Sequence, residues 1–176
     1  MSLDNYRERV RELALKRDGE PIYNGSLDHA GIIVEQMFVS AHDQVSILTG
    51  ALNARVYGTA SVIEKVDIFL AGSDTTVRIL VEANEDQITD HPFFERLSKH
   101  MGKGDLEVKR VPENWQEFYE YHFLVMDDDS FRFEEDKTKH AAIAAFGDKE
   151  GGHHLTEIFD SLWKAGEPVE VKTLSA

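Results

Sequence analysis

A chain of 176 residues with 41% apolar and 30% charged side chains can bury one sizeable core, and it is neither fibrous nor disordered in composition. No run approaches the roughly 20 apolar residues that span a bilayer, and Met1-Ser2-Leu3-Asp4 lacks a leader's basic and apolar regions, so a cytoplasmic protein without a membrane segment is expected. The lack of cysteine excludes disulfides and thiolate chemistry, while a net charge of −14 weighs against a nucleic-acid partner because that affinity comes mainly from Lys and Arg.

Residues 3–17 place Leu3, Tyr6, Val10 and Leu13 on one helical stripe, and Asp18-Gly19-Glu20-Pro21 stops the helix. Residues 1–20 are thus expected to form an N-terminal helix ahead of an α/β domain over 21–176. Asn24-Gly25-Ser26 offers a turn and an N-cap for a second helix, whose face carries Leu27, Ala30, Val34, Met37, Phe38 and Ala41. A β-rich run, Gln44 to Thr49, follows and is closed by Gly50. The pattern then repeats. A helix near 59–71 leads to a strand from Thr75 to Val81, and a helix opened by Pro92 leads to a third strand from Leu106 to Val111. Such alternation marks right-handed crossovers and a largely parallel sheet.

The last third changes character. A short helix near Pro112–Tyr119 precedes two strands, Glu120 to Asp127 and Phe131 to Glu134, which are only a turn apart and so antiparallel. Ala141 to Phe146 is a further apolar strand, Gly147 to Gly152 breaks the chain, and Leu155, Ile158, Phe159, Leu162 and Trp163 define a closing helix. The fold class expected is α/β: a single domain with a mixed, mostly parallel sheet flanked by helices.

Chemistry concentrates near the two central strands. His122 has Glu120 two residues away on the same strand face, which suits a base or nucleophile. The alternative is a partly buried strand histidine satisfied by hydrogen bonds. Arg132 and Glu134 also share a face and are placed to form an ion pair across from Glu120 or His122. The loop Gly50 to Gly58 follows the first strand at its carboxyl end, where open α/β sheets place ligands, so Asn53, Arg55 and Tyr57 are candidate pocket residues. Residues 113–136 hold nine acids against one base, Arg132, and supply −8 of the net charge. Asp127-Asp128-Asp129 and Glu134-Glu135-Asp136 do not fit a calcium loop, since Phe131 and Arg132 fall where ligands and glycine belong, so the acidic turn is expected to face water. His153-His154 with Glu157 has zinc-like spacing but no third ligand, and no metal site is expected. No glycine pattern forms a dinucleotide fingerprint or phosphate loop, so no cofactor is expected.

The run Phe123-Leu124-Val125-Met126-Asp127, with the order of elements over residues 26–165, resembles the phospholipase D-like superfamily. Its signature is His-x-Lys-x4-Asp, with a Gly-Ser motif on a later strand. In one register Glu120 holds the histidine position, His122 the lysine position and Asp127 the aspartate. The later strand then ends Ala145-Phe146-Gly147-Asp148 where Ser and Asn belong. In the other register His122 matches the histidine, Leu124 replaces the lysine and Asp129 becomes the partner. Neither recovers all three residues.

The resemblance implies a fold in which a histidine attacks a phosphodiester phosphorus, a second histidine protonates the leaving group and lysines hold the phosphate oxygens. It also implies that single-domain members pair about a two-fold axis, hence a homodimer with the β-ribbon at its seam. Loss of one preorganised cation costs on the order of 3–4 kcal/mol of transition-state stabilisation. The leading expectation is therefore a non-catalytic or weakly catalytic binding or regulatory module for a protein partner or small ligand. The alternative is a phosphodiesterase or nuclease with an altered site, using His122 with Glu120 or Asp127. A third reading, suggested by charge alone, is a nucleic-acid mimic that blocks a basic partner.

Overall fold

The computed structural model describes residues 1–88, 90–169 and 171. Helix α1 (Leu3–Lys16) starts where the Ser2 hydroxyl accepts from the Asn5 amide and stops where Arg17 turns left-handed, with φ 47°. Strand β1 (Pro21–Asn24) leads to α2 (Leu27–Ser40), capped by Ser26 as its sequence predicts. Then come β2 (Gln44–Thr49), α3 (Ala60–Leu70) capped by Thr59, and β3 (Thr76–Val81). Two short helices follow, α4 (Glu85–Ile88) and α5 (Pro92–Leu97), the second with its proline in the first turn, ahead of β4 (Leu106–Arg110). The stretch Glu113–Phe118 is 3₁₀ rather than α-helical. It delivers the chain to the ribbon β5 (His122–Met126) and β6 (Ser130–Glu134). Strand β7 (Ala142–Phe146), helix α6 (Lys149–Ala165) and the two-residue β8 (Glu167–Pro168) complete the order.

The eight strands form one sheet in the order β1-β7-β6-β5-β2-β3-β4-β8. It is mixed, but parallel pairing is confined to β2 with β3 and β3 with β4. The other five pairings are antiparallel, which corrects the expectation of a mostly parallel sheet. The tight β5–β6 turn makes those strands antiparallel to each other, and β5 then joins the parallel unit antiparallel to β2. Edge strands β1 and β8 carry Pro21 and Pro168, whose missing N–H groups are tolerated only at such positions.

Helices α1, α2 and α3 cover one face and α6 the other, each over its own apolar cluster. The two-residue period of β5 divides its side chains between these layers. Leu124 and Met126 enter the cluster under α1–α3, while Phe123 and Val125 enter the one under α6. His122 has the parity of Leu124, and this parity aims its ring at the α2 side. No helix among the described residues is long and apolar enough to cross a membrane.

The acidic turn of the ribbon does more than face water. Asp127 (φ 50°) accepts from the backbone amides of His42, Asp43 and Gln44 at 2.8, 2.9 and 3.0 Å. Asp129 pairs with Arg17 at 2.6 Å, and Asp128 meets His153 at 2.9 Å. The turn therefore ties the ribbon to the start of β2, to the end of α1 and to α6.

Candidate functional site

At the opposite end of the ribbon, His122 lies across from Glu134 in the β5–β6 register. A cleft of about 270 Å³ opens here. Its walls are the end of β2 with Gly50, the loop carrying Asn53 and Tyr57, the first residues of β5, and the β6–β7 connection with Lys137 and His140. The carboxyl edge of the parallel strands places the loop, and strand parity places His122, Arg132 and Glu134 on the cleft side.

Arg132 is 4% exposed and makes three hydrogen bonds. It donates to Glu134 Oε1 at 2.7 Å, to Asn24 Oδ1 at 3.0 Å and to the His140 carbonyl at 3.3 Å. Lys137 Nζ donates to Glu82 Oε1 at 3.2 Å and to the Gln116 carbonyl at 3.1 Å. His122 stands between the two acids, with Nε2 3.4 Å from Glu82 and Nδ1 3.8 Å from Glu134. The ring is 9% exposed, and its Nε2 makes no well-formed hydrogen bond despite this proximity.

The electrostatics follow from that packing. Burial resists ionisation of Glu82, but His122 and Lys137 together outweigh it and hold the carboxyl below its ordinary value. Burial, with Glu82 adding to it, pushes the Tyr119 hydroxyl well above its usual range, and burial does the same to Tyr57. The fixed charges balance: Arg132 with Glu134, Lys137 with Glu82. The site therefore offers donors and acceptors in a nearly neutral setting, with the His122 imidazole between the two acids. Among the described residues no group of three or more His, Cys, Asp or Glu is arranged to hold a metal ion.

Of the residues singled out by sequence, His122, Asn53, Tyr57, Arg132 and Glu134 line this one cleft. The Arg132–Glu134 ion pair is present, with His122 as its cross-strand neighbour. Glu120 precedes β5 and is exposed; its carbonyl accepts from the Lys137 amide at 2.7 Å. Arg55 is exposed on the loop, and its amide donates to Asn53 Oδ1 at 3.0 Å. Asp127 sits at the far end of β5, five residues and roughly 16 Å of strand from His122. Sequence reasoning missed Glu82, Lys137 and Asn24. Glu82 follows the last residue of β3 beside the end of β2, so the carboxyl-edge rule carried a signal for it. Lys137 and Asn24 reach the site through tertiary pairing alone.

A family model described as a domain of unknown function (DUF7931) matches residues 26–174. No curated protein matches the chain. Solved structures match it in fold. TrmBL2, an archaeal chromatin protein whose structure shows a novel mode of DNA binding, superposes with a TM-score of 0.58 at 15% identity, over 94% of this chain and 62% of that one. Nuc from Salmonella typhimurium, a phospholipase D family member, gives 0.56 at 11% identity over 86% of this chain and 99% of its own. NucT from Helicobacter pylori gives 0.55 at 11% identity, over 86% and 99%. The chain thus spans less than two thirds of the archaeal protein but nearly all of Nuc and NucT. The fold is phospholipase D-like.

Proposed function

The chain belongs to the DUF7931 domain family, and from the cleft of that domain we propose that it is a binding or regulatory module that does not cleave phosphodiesters. The observation that carries this reading is the state of the cleft's cations: Arg132 and Lys137 are each already neutralised by a carboxylate. A phosphoryl transition state needs preorganised positive charge, and one missing group costs on the order of 3–4 kcal/mol. Both registers of the catalytic signature also fare badly. The first puts the nucleophile position at exposed Glu120, outside the cleft. The second puts the lysine position at Leu124, which is 1% exposed in the apolar core. Asp127 and Asp129, the acids of the two registers, are spent on backbone amides and on Arg17.

A cleft with paired charges suits a compact polar ligand of little net charge, held through Asn53, Arg132, Glu134 and the His122 imidazole. The fold of an archaeal DNA-binding protein is similar, so fold alone does not argue against nucleic acid; the net charge of −14 does. A homodimer with the β-ribbon at its seam completes the proposal. It rests on the resemblance, and light scattering that returns the mass of one chain would remove it.

A second reading, a hydrolase centred on His122, is favoured by one detail: the buried Nε2 without a hydrogen-bond partner. Turnover of bis(p-nitrophenyl) phosphate separates the two. The binding reading expects the purified chain and His122→Ala to give the same background rate. Turnover that disappears in His122→Ala would establish the hydrolase instead.

A further inference from the structure

The sheet face under α6 is only partly covered. Helix α6 packs over β2, β5 and β6, with Leu155, Phe159 and Leu162 buried beneath it. One cross-strand row on this face runs Phe123, Phe133, Ile143, Tyr23 through the registers of β5, β6, β7 and β1. It begins buried at Phe123 and ends at Tyr23, which is 69% exposed. Tyr121 extends the apolar surface in the other direction, its ring 5.4 Å from that of Phe133. Beyond it the 3₁₀ stretch presents Trp115 and Phe118, the latter 82% exposed. Two hollows, about 530 and 560 Å³, flank the Tyr121–Phe133 contact.

The exposed aromatic residues of the described chain, Tyr23, Trp115 and Phe118, all lie on this face. The exposed aliphatic side chains Leu15, Val39 and Ile68 sit instead on the helices of the opposite layer. A contiguous aromatic surface of this kind marks an interaction site, whereas scattered aliphatics do not. Its rim is mostly acidic: Glu157 and Glu135 line the two hollows, beside His154, and Glu113 and Glu117 are exposed on the 3₁₀ stretch. Glu113 and Glu117 have no ion-pair partner among the described residues.

That charge selects the occupant. A second copy docking by this face would bring the same acids against them, and an anionic lipid surface would be repelled. We propose that the Tyr23–Phe133–Tyr121–Phe118 face docks a segment of another protein in which Lys or Arg residues flank apolar anchors. The aromatic hollows supply affinity, and the acidic rim supplies steering and selectivity.

The test uses the full chain and a synthetic amphipathic Leu/Lys peptide, with a Leu/Glu peptide of the same pattern as control, followed by titration calorimetry. The Leu/Lys peptide should bind at one site. Its affinity should fall about tenfold in Phe118→Ser and in Tyr23→Ser, both solvent-facing changes that leave the charge intact. Leu15→Ser on the opposite layer should change nothing. Replacing Glu113 and Glu117 together by Gln should weaken binding and flatten its salt dependence. Equal binding by wild type and Phe118→Ser would reduce the effect to bulk charge and overturn the proposal. So would binding of the Leu/Glu peptide, or self-association of the chain that Phe118→Ser abolishes.

Discussion

Glu82 shows how a single residue sets the character of the cleft. It follows β3 directly and places one carboxylate within reach of both Lys137 and His122. Its pKa is depressed in the folded chain, so its contribution to stability is complete above the ordinary carboxyl value of about 4.3 and is lost as pH falls through the lower native value. Below about pH 4 the urea midpoint of the wild type should therefore fall more steeply than that of Glu82→Gln, which has no proton to take up. Parallel acid profiles for the two proteins would show that Glu82 is not held by these partners. Residues such as Arg132, Glu134 and His122 were legible beforehand because strand parity alone puts them on one face. Glu82 and Lys137 were not, since they meet only after β3 and the β6–β7 connection have been brought to the same end of the sheet.

The β5–β6 ribbon is the element on which the site depends, and its two ends have different work. At the turn, Asp127 satisfies three amides that open β2, groups that are costly to leave unpaired. Asp127→Ala should cost about 2 kcal/mol of stability in chemical denaturation, in the range of a lost cap, while leaving cleft affinity for any ligand unchanged once the protein is folded. An unchanged midpoint with altered binding would return Asp127 to the functional site. The sequence expectation for this turn, a solvated acidic loop, holds for exposed Asp128 but misses the bonds of Asp127 and Asp129, because a run of aspartates reads the same whether its carboxylates meet water or backbone. The hairpin itself was readable from alternation and turn chemistry, and so was the Arg132–Glu134 pair within it. Strand β1, four residues long and opened by a proline, lacks the length that gives a periodic signal.

For the molecule as a whole, the order of helices and strands was enough to expect a phospholipase D-like α/β fold. The pairing of strands was not. Periodicity says that a segment is a strand but not which neighbour it takes, and here β5 inserts beside β2 while β1 closes on β7 at the far edge. That arrangement brings the loop after β2, the first residues of β5 and the end of β6 around one cleft, where an enzyme of this fold would need unpaired cations. In this chain the two cations of the cleft are held by Glu134 and Glu82, and the acid-rich ribbon adds repulsion for any phosphate that approaches.

The most direct measurement is therefore of anion binding, independent of turnover: titration of inorganic phosphate and dimethyl phosphate into the chain at neutral pH, followed through the His122 ring resonances. Cations already committed to carboxylates predict no saturable shift at millimolar anion. A saturating shift that is lost in Arg132→Gln would mean that the cleft still presents free positive charge to phosphate, and would contradict the account.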